Sequence, residues 1–141
     1  MAGVIRGGCL CGAVRYEIDA PFADAVYCHC SQCRRASGSA FAANAGVAKA
    51  HFKLVAGQAA LRAYESSPRK LRWFCSRCGS PVYNLTPHQP NAVRVRLGTV
   101  DGDPGIRPDC HIFVGSKAPW DEIRDALPQH DTVPNALLKE G

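Results

Sequence analysis

Between Ala13 and Ile18, Val14, Tyr16 and Ile18 interleave with Ala13, Arg15 and Glu17. A hydrophobic period of two is that of a half-buried strand. Val93-Arg94-Val95-Arg96-Leu97 repeats the pattern and sets both arginines on one face. Further strands are predicted at Ala25 to Cys28, Ser39 to Ala43, His51 to Val55, Leu61 to Ser66, Leu71 to Phe74, Val82 to Leu85 and His111 to Val114. Glycine or proline at Gly46, Gly57, Pro68, Gly79, Pro87, Pro90, Gly102, Pro104 and Pro108 marks turns between them. Helix is expected in two places only. One is a short turn around Ser31 to Ala36, and the other is Ala118 to Leu127, where Trp120, Ile123 and Leu127 recur at helical spacing and predict core packing for Trp120. The pattern is that of a mainly β protein, without internal repeats or low-complexity tracts.

A chain of 141 residues suits one domain. We assign it to residues 1–128 and expect the polar, proline-interrupted stretch Gln129 to Gly141 to form a surface tail. Met1 to Gly8 lacks the apolar segment of a secretory signal, and no run approaches the roughly 18 apolar residues of a membrane span. The expected compartment is the cytosol, with no membrane partner.

That expectation changes the meaning of the eight cysteines. They fall as Cys9-x-Cys11, Cys28-x-Cys30-x-x-Cys33, Cys75-x-x-Cys78 and a lone Cys110. A disulfide framework belongs to oxidising compartments, and neighbours this close are poor disulfide partners. They are good chelators, because a turn with two thiols supplies half a tetrahedral zinc shell at little cost in loop closure. Cys9, Cys11, Cys75 and Cys78 make two pairs distant in sequence, and Gly79 suits the tight turn of a zinc knuckle. Four thiolates close a tetrahedral site and predict a structural zinc. Cys28, Cys30 and Cys33 supply three ligands, the number a catalytic zinc uses while keeping a position for water or substrate. A fourth ligand from His29, His111 or Cys110 would close that site instead. His29, placed between two candidate ligands, is expected to point away from them as a packed or surface histidine, and Cys110 is expected to be a buried free thiol.

Metal also alters the charge. Seven thiolates and two zinc ions lower the formal +5 by three, to +2, and a nearly neutral holoprotein argues against nucleic acid as a partner. The basic residues Arg62, Arg69, Lys70, Arg72 and Arg77 cluster in sequence, but no long basic tail accompanies them.

Several segments, taken in order, resemble the glutathione-dependent formaldehyde-activating family, which also contains the centromere protein V domain. They are Gly8-Cys9-Leu10-Cys11-Gly12, Cys28-His29-Cys30-Ser31-Gln32-Cys33-Arg34-Arg35 with Ser37-Gly38-Ser39-Ala40-Phe41, and Phe74-Cys75-Ser76-Arg77-Cys78-Gly79-Ser80. His111-Ile112-Phe113-Val114 and Lys117-Ala118-Pro119-Trp120 complete the match, which runs from about Gly8 to Ile123. The resemblance implies a β-tent fold of small antiparallel sheets and two zinc ions, one at Cys9, Cys11, Cys75 and Cys78 and one at Cys28, Cys30 and Cys33. It further implies a carbon-sulfur lyase type of activity on a small thiol adduct, the formation of S-(hydroxymethyl)glutathione from formaldehyde and glutathione. Arg34 and Arg35, directly after the ligand loop, are the candidates to grip glutathione carboxylates, since guanidinium binds carboxylate bidentately. The competing expectation is a non-catalytic zinc module that binds a protein or nucleic acid.

Overall fold

A computed structural model describes residues 3–134. Ten strands and one short helix follow in the order β1 (Ile5–Gly8), β2 (Arg15–Ile18), β3 (Asp24–Cys28), α1 (Ser31–Ser37), β4 (Ala42–Ala48), β5 (Phe52–Ala56), β6 (Leu61–Ser67), β7 (Lys70–Cys75), β8 (Pro81–Leu85), β9 (Ala92–Arg96) and β10 (His111–Ile112). They form a three-stranded sheet, β1-β2-β5, and a seven-stranded sheet, β10-β3-β4-β9-β8-β7-β6. All pairings are antiparallel except β10 with β3. The mainly β expectation holds, with the strands gathered in two sheets.

The alternation in β2 buries Tyr16 and Ile18 completely, together with Val14 just before it. They pack with Ala45, Val47, Val82, Val93 and Val95 into the main core. A second, smaller cluster of Val26, Cys28, Cys33, Ala42, Cys110 and Ile112 lies at the β3 and β10 end of the large sheet. In β9 both faces are covered. Val93 and Val95 enter the main core, and the intervening Arg94 and Arg96 are also less than a tenth exposed. Cross-strand register continues that second face sideways, because Asn44 stands opposite Val26 and Arg96, and Asn84 opposite Arg94 and Arg72. The large sheet therefore has a hydrocarbon face and a polar, cationic face.

The structure departs from the sequence reading at β1, at Gly46 and at the start of β4, each for a local reason. β1 is absent from the sequence reading, since its Ile-Arg-Gly-Gly carries little strand signal. Its glycine is nonetheless required, for a Cβ at Gly7 would collide with the Tyr16 hydroxyl and the Thr99 carbonyl. Gly46, expected in a turn, lies inside β4, where Asp24 and Arg94 occupy the room a side chain would need. The strand expected at Ser39 to Ala43 accordingly starts at Ala42 and runs on to Ala48.

Ala118 to Leu127 is not helical. Its amides bond locally in other ways, Asp121 N to the Ala118 carbonyl and Leu127 N to the Asp125 carboxylate. Trp120 is 71% exposed rather than packed in the core, so its spacing to Ile123 and Leu127 was coincidental. Within the predicted tail, Gln129 bridges to His111, and the His130 and Thr132 carbonyls accept from Val114 N and Phe113 N. Residues 135–141 of that tail lie outside the described residues. No helix among the described residues is long and apolar enough to cross a membrane.

Candidate metal centres and ligand cavity

The turn after β1 carries Cys9 and Cys11, folded by the Cys9 N to Val14 carbonyl and Gly12 N to Cys9 carbonyl hydrogen bonds. Cys75 ends β7, and Gly79 N closes a tight turn onto its carbonyl at 2.7 Å with Gly79 at φ 81°. These two turns bring the sulfurs of Cys9, Cys11, Cys75 and Cys78 within 4.8 Å of one another. Cys9 to Cys11 is 3.6 Å and Cys11 to Cys75 is 3.8 Å. Four thiolates about 2.3 Å from a tetrahedral centre have edges of about 3.8 Å, so the donor set fits zinc. Ser80 Oγ, 3.2 Å from Cys78 Sγ, and the Ser80 amide lower the Cys78 thiol to about 5. Cys11 gains from an Ala13 amide, but neighbouring Cys9, Cys78 and Cys75 push it up to about 11. Four sulfurs this close cannot all ionise unless a cation sits among them.

Cys28 ends β3, Cys30 is the N-cap of α1, and Cys33 lies in the first turn of that helix. Cys30 Sγ accepts from Cys33 N at 3.3 Å, which holds the two side chains on one side. The three sulfurs lie within 4.8 Å of one another, again a set that fits zinc. Their protons are unevenly held. Cys28 and Cys30 donate to Cys33 and, with Arg72 nearby, lower it to about 2, whereas Cys30 and Cys33 push Cys28 strongly up.

No other cysteine, histidine or carboxylate among the described residues joins this group. The alternative fourth ligands are engaged elsewhere. His29 Nε2 is 2.8 Å from His111 Nδ1, and His111 Nε2 is 3.0 Å from Asp125 Oδ2, with both rings buried. Cys110 is a buried thiol whose ionisation is disfavoured by burial and Asp109.

The three cysteines open into a cavity of about 430 Å³. Its floor is the polar face of the large sheet, with Asn44, Arg94, Asn84 and Arg72 from four adjacent strands, and Lys70 stands beside them. Arg72 places Nη1 and Nη2 each 3.8 Å from Cys33 Sγ, while its Nε donates to Ser66 Oγ at 2.9 Å. Burial lowers the Lys70 pKa, opposed by the charge of Cys33. Arg96, outside the lining, donates Nη1 to Ser37 Oγ at 2.8 Å, and its buried Nε and Nη2 have no partner among the described residues. Arg34 and Arg35 do not line this cavity. Arg34 Nε donates to the Ser116 carbonyl, and Arg35 is exposed. The sequence reading did not place Lys70, Arg72, Asn44, Asn84 and Arg94 in one cavity with the three cysteines. A signal was present, since cations at alternate positions of apolar strands, Lys70 and Arg72 in β7 and Arg94 and Arg96 in β9, must share a face.

Comparison with known proteins agrees with this architecture. The sequence model of a family described as glutathione-dependent formaldehyde-activating enzyme matches residues 4–116. A protein of Halomonas elongata, provisionally given that same name, is 32% identical over 129 residues, covering 85% of this chain and 81% of its own. The crystal structure of a Rhodobacter sphaeroides protein superposes with a TM-score of 0.61 at 31% identity, covering 70% of this chain and 89% of that one.

Proposed function

We propose that this chain, which belongs to the glutathione-dependent formaldehyde-activating enzyme family, is a zinc enzyme of the carbon-sulfur lyase type. It joins a glutathione thiol to formaldehyde, forming S-(hydroxymethyl)glutathione, and cleaves the same bond in reverse. The observation that carries this reading is the three-cysteine cluster, with no fourth protein ligand among the described residues, in the lining of a cavity that also holds Lys70, Arg72 and Arg94. Cys9, Cys11, Cys75 and Cys78 would hold a structural zinc, and Cys28, Cys30 and Cys33 a second ion. Zinc at the second position supplies Lewis acidity and favours the thiolate form of a bound thiol, the form that attacks carbon.

The remaining work falls to the chain. Three cysteine thiolates and a substrate thiolate concentrate negative charge in a half-enclosed site, and the Arg72 guanidinium beside Cys33 offsets it. Lys70 and Arg72 are the cations placed to take a substrate carboxylate, the role first assigned to Arg34 and Arg35, which stand outside the cavity lining. The reaction balances internally. Sulfur bonds the aldehyde carbon, the carbon-oxygen π pair moves to oxygen, and the thiol proton ends on that oxygen. The wall cations face inward, which supports a small anionic ligand over a nucleic acid. We place the activity in the cytosol, where reduced thiols persist.

Carbon-13 exchange spectroscopy of labelled formaldehyde with glutathione tests the reading. Zinc-loaded protein should accelerate interconversion of formaldehyde and adduct above the uncatalysed rate, and Cys30→Ser should abolish the acceleration. A rate equal to background would overturn it.

A further inference from the structure

Asp24, Val26 and Cys28 occupy alternate positions of β3 and therefore project from one face of the large sheet. Val26 and Cys28 line the cavity of the three-cysteine cluster, whereas Asp24 lines a second cavity of about 250 Å³. Arg94 and Gln89 border both cavities, so the two adjoin across those side chains. Four residues of extended chain separate the Cα atoms of Asp24 and Cys28 by about 13 Å. One strand thus presents a carboxylate, an apolar middle and a thiol in a line.

The carboxylate is only half engaged. Asp24 Oδ1 accepts from Gly46 N at 3.0 Å and from Arg94 Nη1 at 2.6 Å. Oδ2 accepts no hydrogen bond from the described residues. Arg94 likewise gives Nη1 to Asp24, and its side chain borders both cavities. Gly46 allows the pair to lie flat on the sheet, because a Cβ there would stand 2.6 Å from Asp24 Oδ1 and 2.5 Å from Arg94 Nη1.

We propose that Asp24 and Arg94 form a subsite for the α-amino-acid end of the ligand, its ammonium on Asp24 and its carboxylate on Arg94. The proposal rests on the reading that the ligand is a glutathione-like thiol with its sulfur at Cys28, Cys30 and Cys33. In such a ligand seven bonds separate sulfur from the α-carbon of the γ-glutamyl group, roughly 9 Å when extended. Adding a hydrogen bond of about 3 Å brings the ammonium within reach of Asp24. Val26 meets the methylenes between. The arrangement selects thiols that carry a free amino acid one peptide away from sulfur, and it rejects thiols that lack the ammonium by leaving Asp24 Oδ2 unpaired.

The test is calorimetric titration of the zinc-loaded protein with glutathione, with the deaminated analogue in which glutaryl replaces γ-glutamyl, and with cysteinylglycine. Wild type should bind glutathione about tenfold or more tightly than the deaminated analogue. Asp24→Asn should erase that preference by weakening glutathione alone. Loss of both ligands to the same extent in the variant would mark the pair as structural and overturn the proposal. The wild-type comparison needs no variant to fold. Comparable affinity for all three thiols refutes the subsite and leaves the glutathione reading standing, and binding of none removes both.

Discussion

Both terminal nitrogens of Arg72 lie 3.8 Å from the sulfur of Cys33, so a strand of the large sheet reaches across to the helix that carries the ligand loop. A guanidinium against a thiolate is a charge-assisted contact in a poorly solvated place, since Arg72 is only 8% exposed. Arg72→Gln should retain bound metal but weaken glutathione about tenfold or more, with Arg72→Lys intermediate because it keeps charge and loses the fork. Metal content beside thiol titration reads this directly. Unchanged affinity in the glutamine variant would show that Arg72 only braces Gln32 and Ser66.

The two cysteine clusters should differ in consequence. Cys75 is fully buried at the junction of β7 and the β1 turn, and its metal would couple to folding. Cys75→Ser should lower stability by about 3 kcal/mol, which for a chain of this size is roughly 10 °C in Tm. Cys30→Ser should cost well under half of that and remove one equivalent of zinc from two. Equal melting shifts, or a single equivalent in wild type under reducing, zinc-replete conditions, would contradict the division.

Tyr16 gives a pH dependence with a definite sign. Its ring is fully buried, its hydroxyl lies 2.7 Å from Thr99 Oγ1, and burial pushes its pKa up to about 12. The unfolded phenol ionises near 10. Its stabilising contribution is therefore complete below pH 10 and is lost as pH rises toward 12, about 1 kcal/mol being gone at pH 11. Urea unfolding of wild type and Tyr16→Phe at pH 8 and pH 11 isolates this change from that of the thiols. Parallel losses in the two proteins would place the alkaline sensitivity elsewhere.

Gly7→Ala should destabilise by about 2–4 kcal/mol, because the new methyl meets a backbone carbonyl and a hydroxyl held by Thr99, neither able to retreat. Gly3→Ala, with open space around it, should be neutral. Chemical denaturation of the pair suffices, and a neutral Gly7→Ala would mean that β1 moves away from β2.

Most strands were legible because their alternation answers to burial in the main core, as in Val14, Tyr16 and Ile18. The helix of the ligand loop, expected around Ser31 to Ala36, forms over Ser31–Ser37 and is stopped by Gly38 in a left-handed cap at φ 64°. What escaped was contact between distant segments. Nothing near Gly46 announces that Asp24 and Arg94 will meet above it, and nothing near Gly7 announces Tyr16. Trp120 misled for the opposite reason, as a three-residue coincidence imitates a helix when neighbouring polar groups already satisfy the backbone. The cysteine groups could be partitioned from spacing, but the cavity cations required the sheet register.

The two-faced sheet has a consequence for how this chain can change. In β9 the residues that touch hydrocarbon, Val93 and Val95, and those on the polar face, Arg94 and Arg96, are immediate neighbours in sequence and opposites in space. A point substitution on either set leaves the other undisturbed, so ligand preference and cohesion can drift separately. Insertion or loss of a single residue in β9 does the reverse. It exchanges the two sets at one stroke, pressing two guanidinium groups into the aliphatic core and valines into the cavity. Such a sheet is permissive to mutation and intolerant of frame, and its lineage is expected to vary by substitution within the strands and by insertion only in the turns between them.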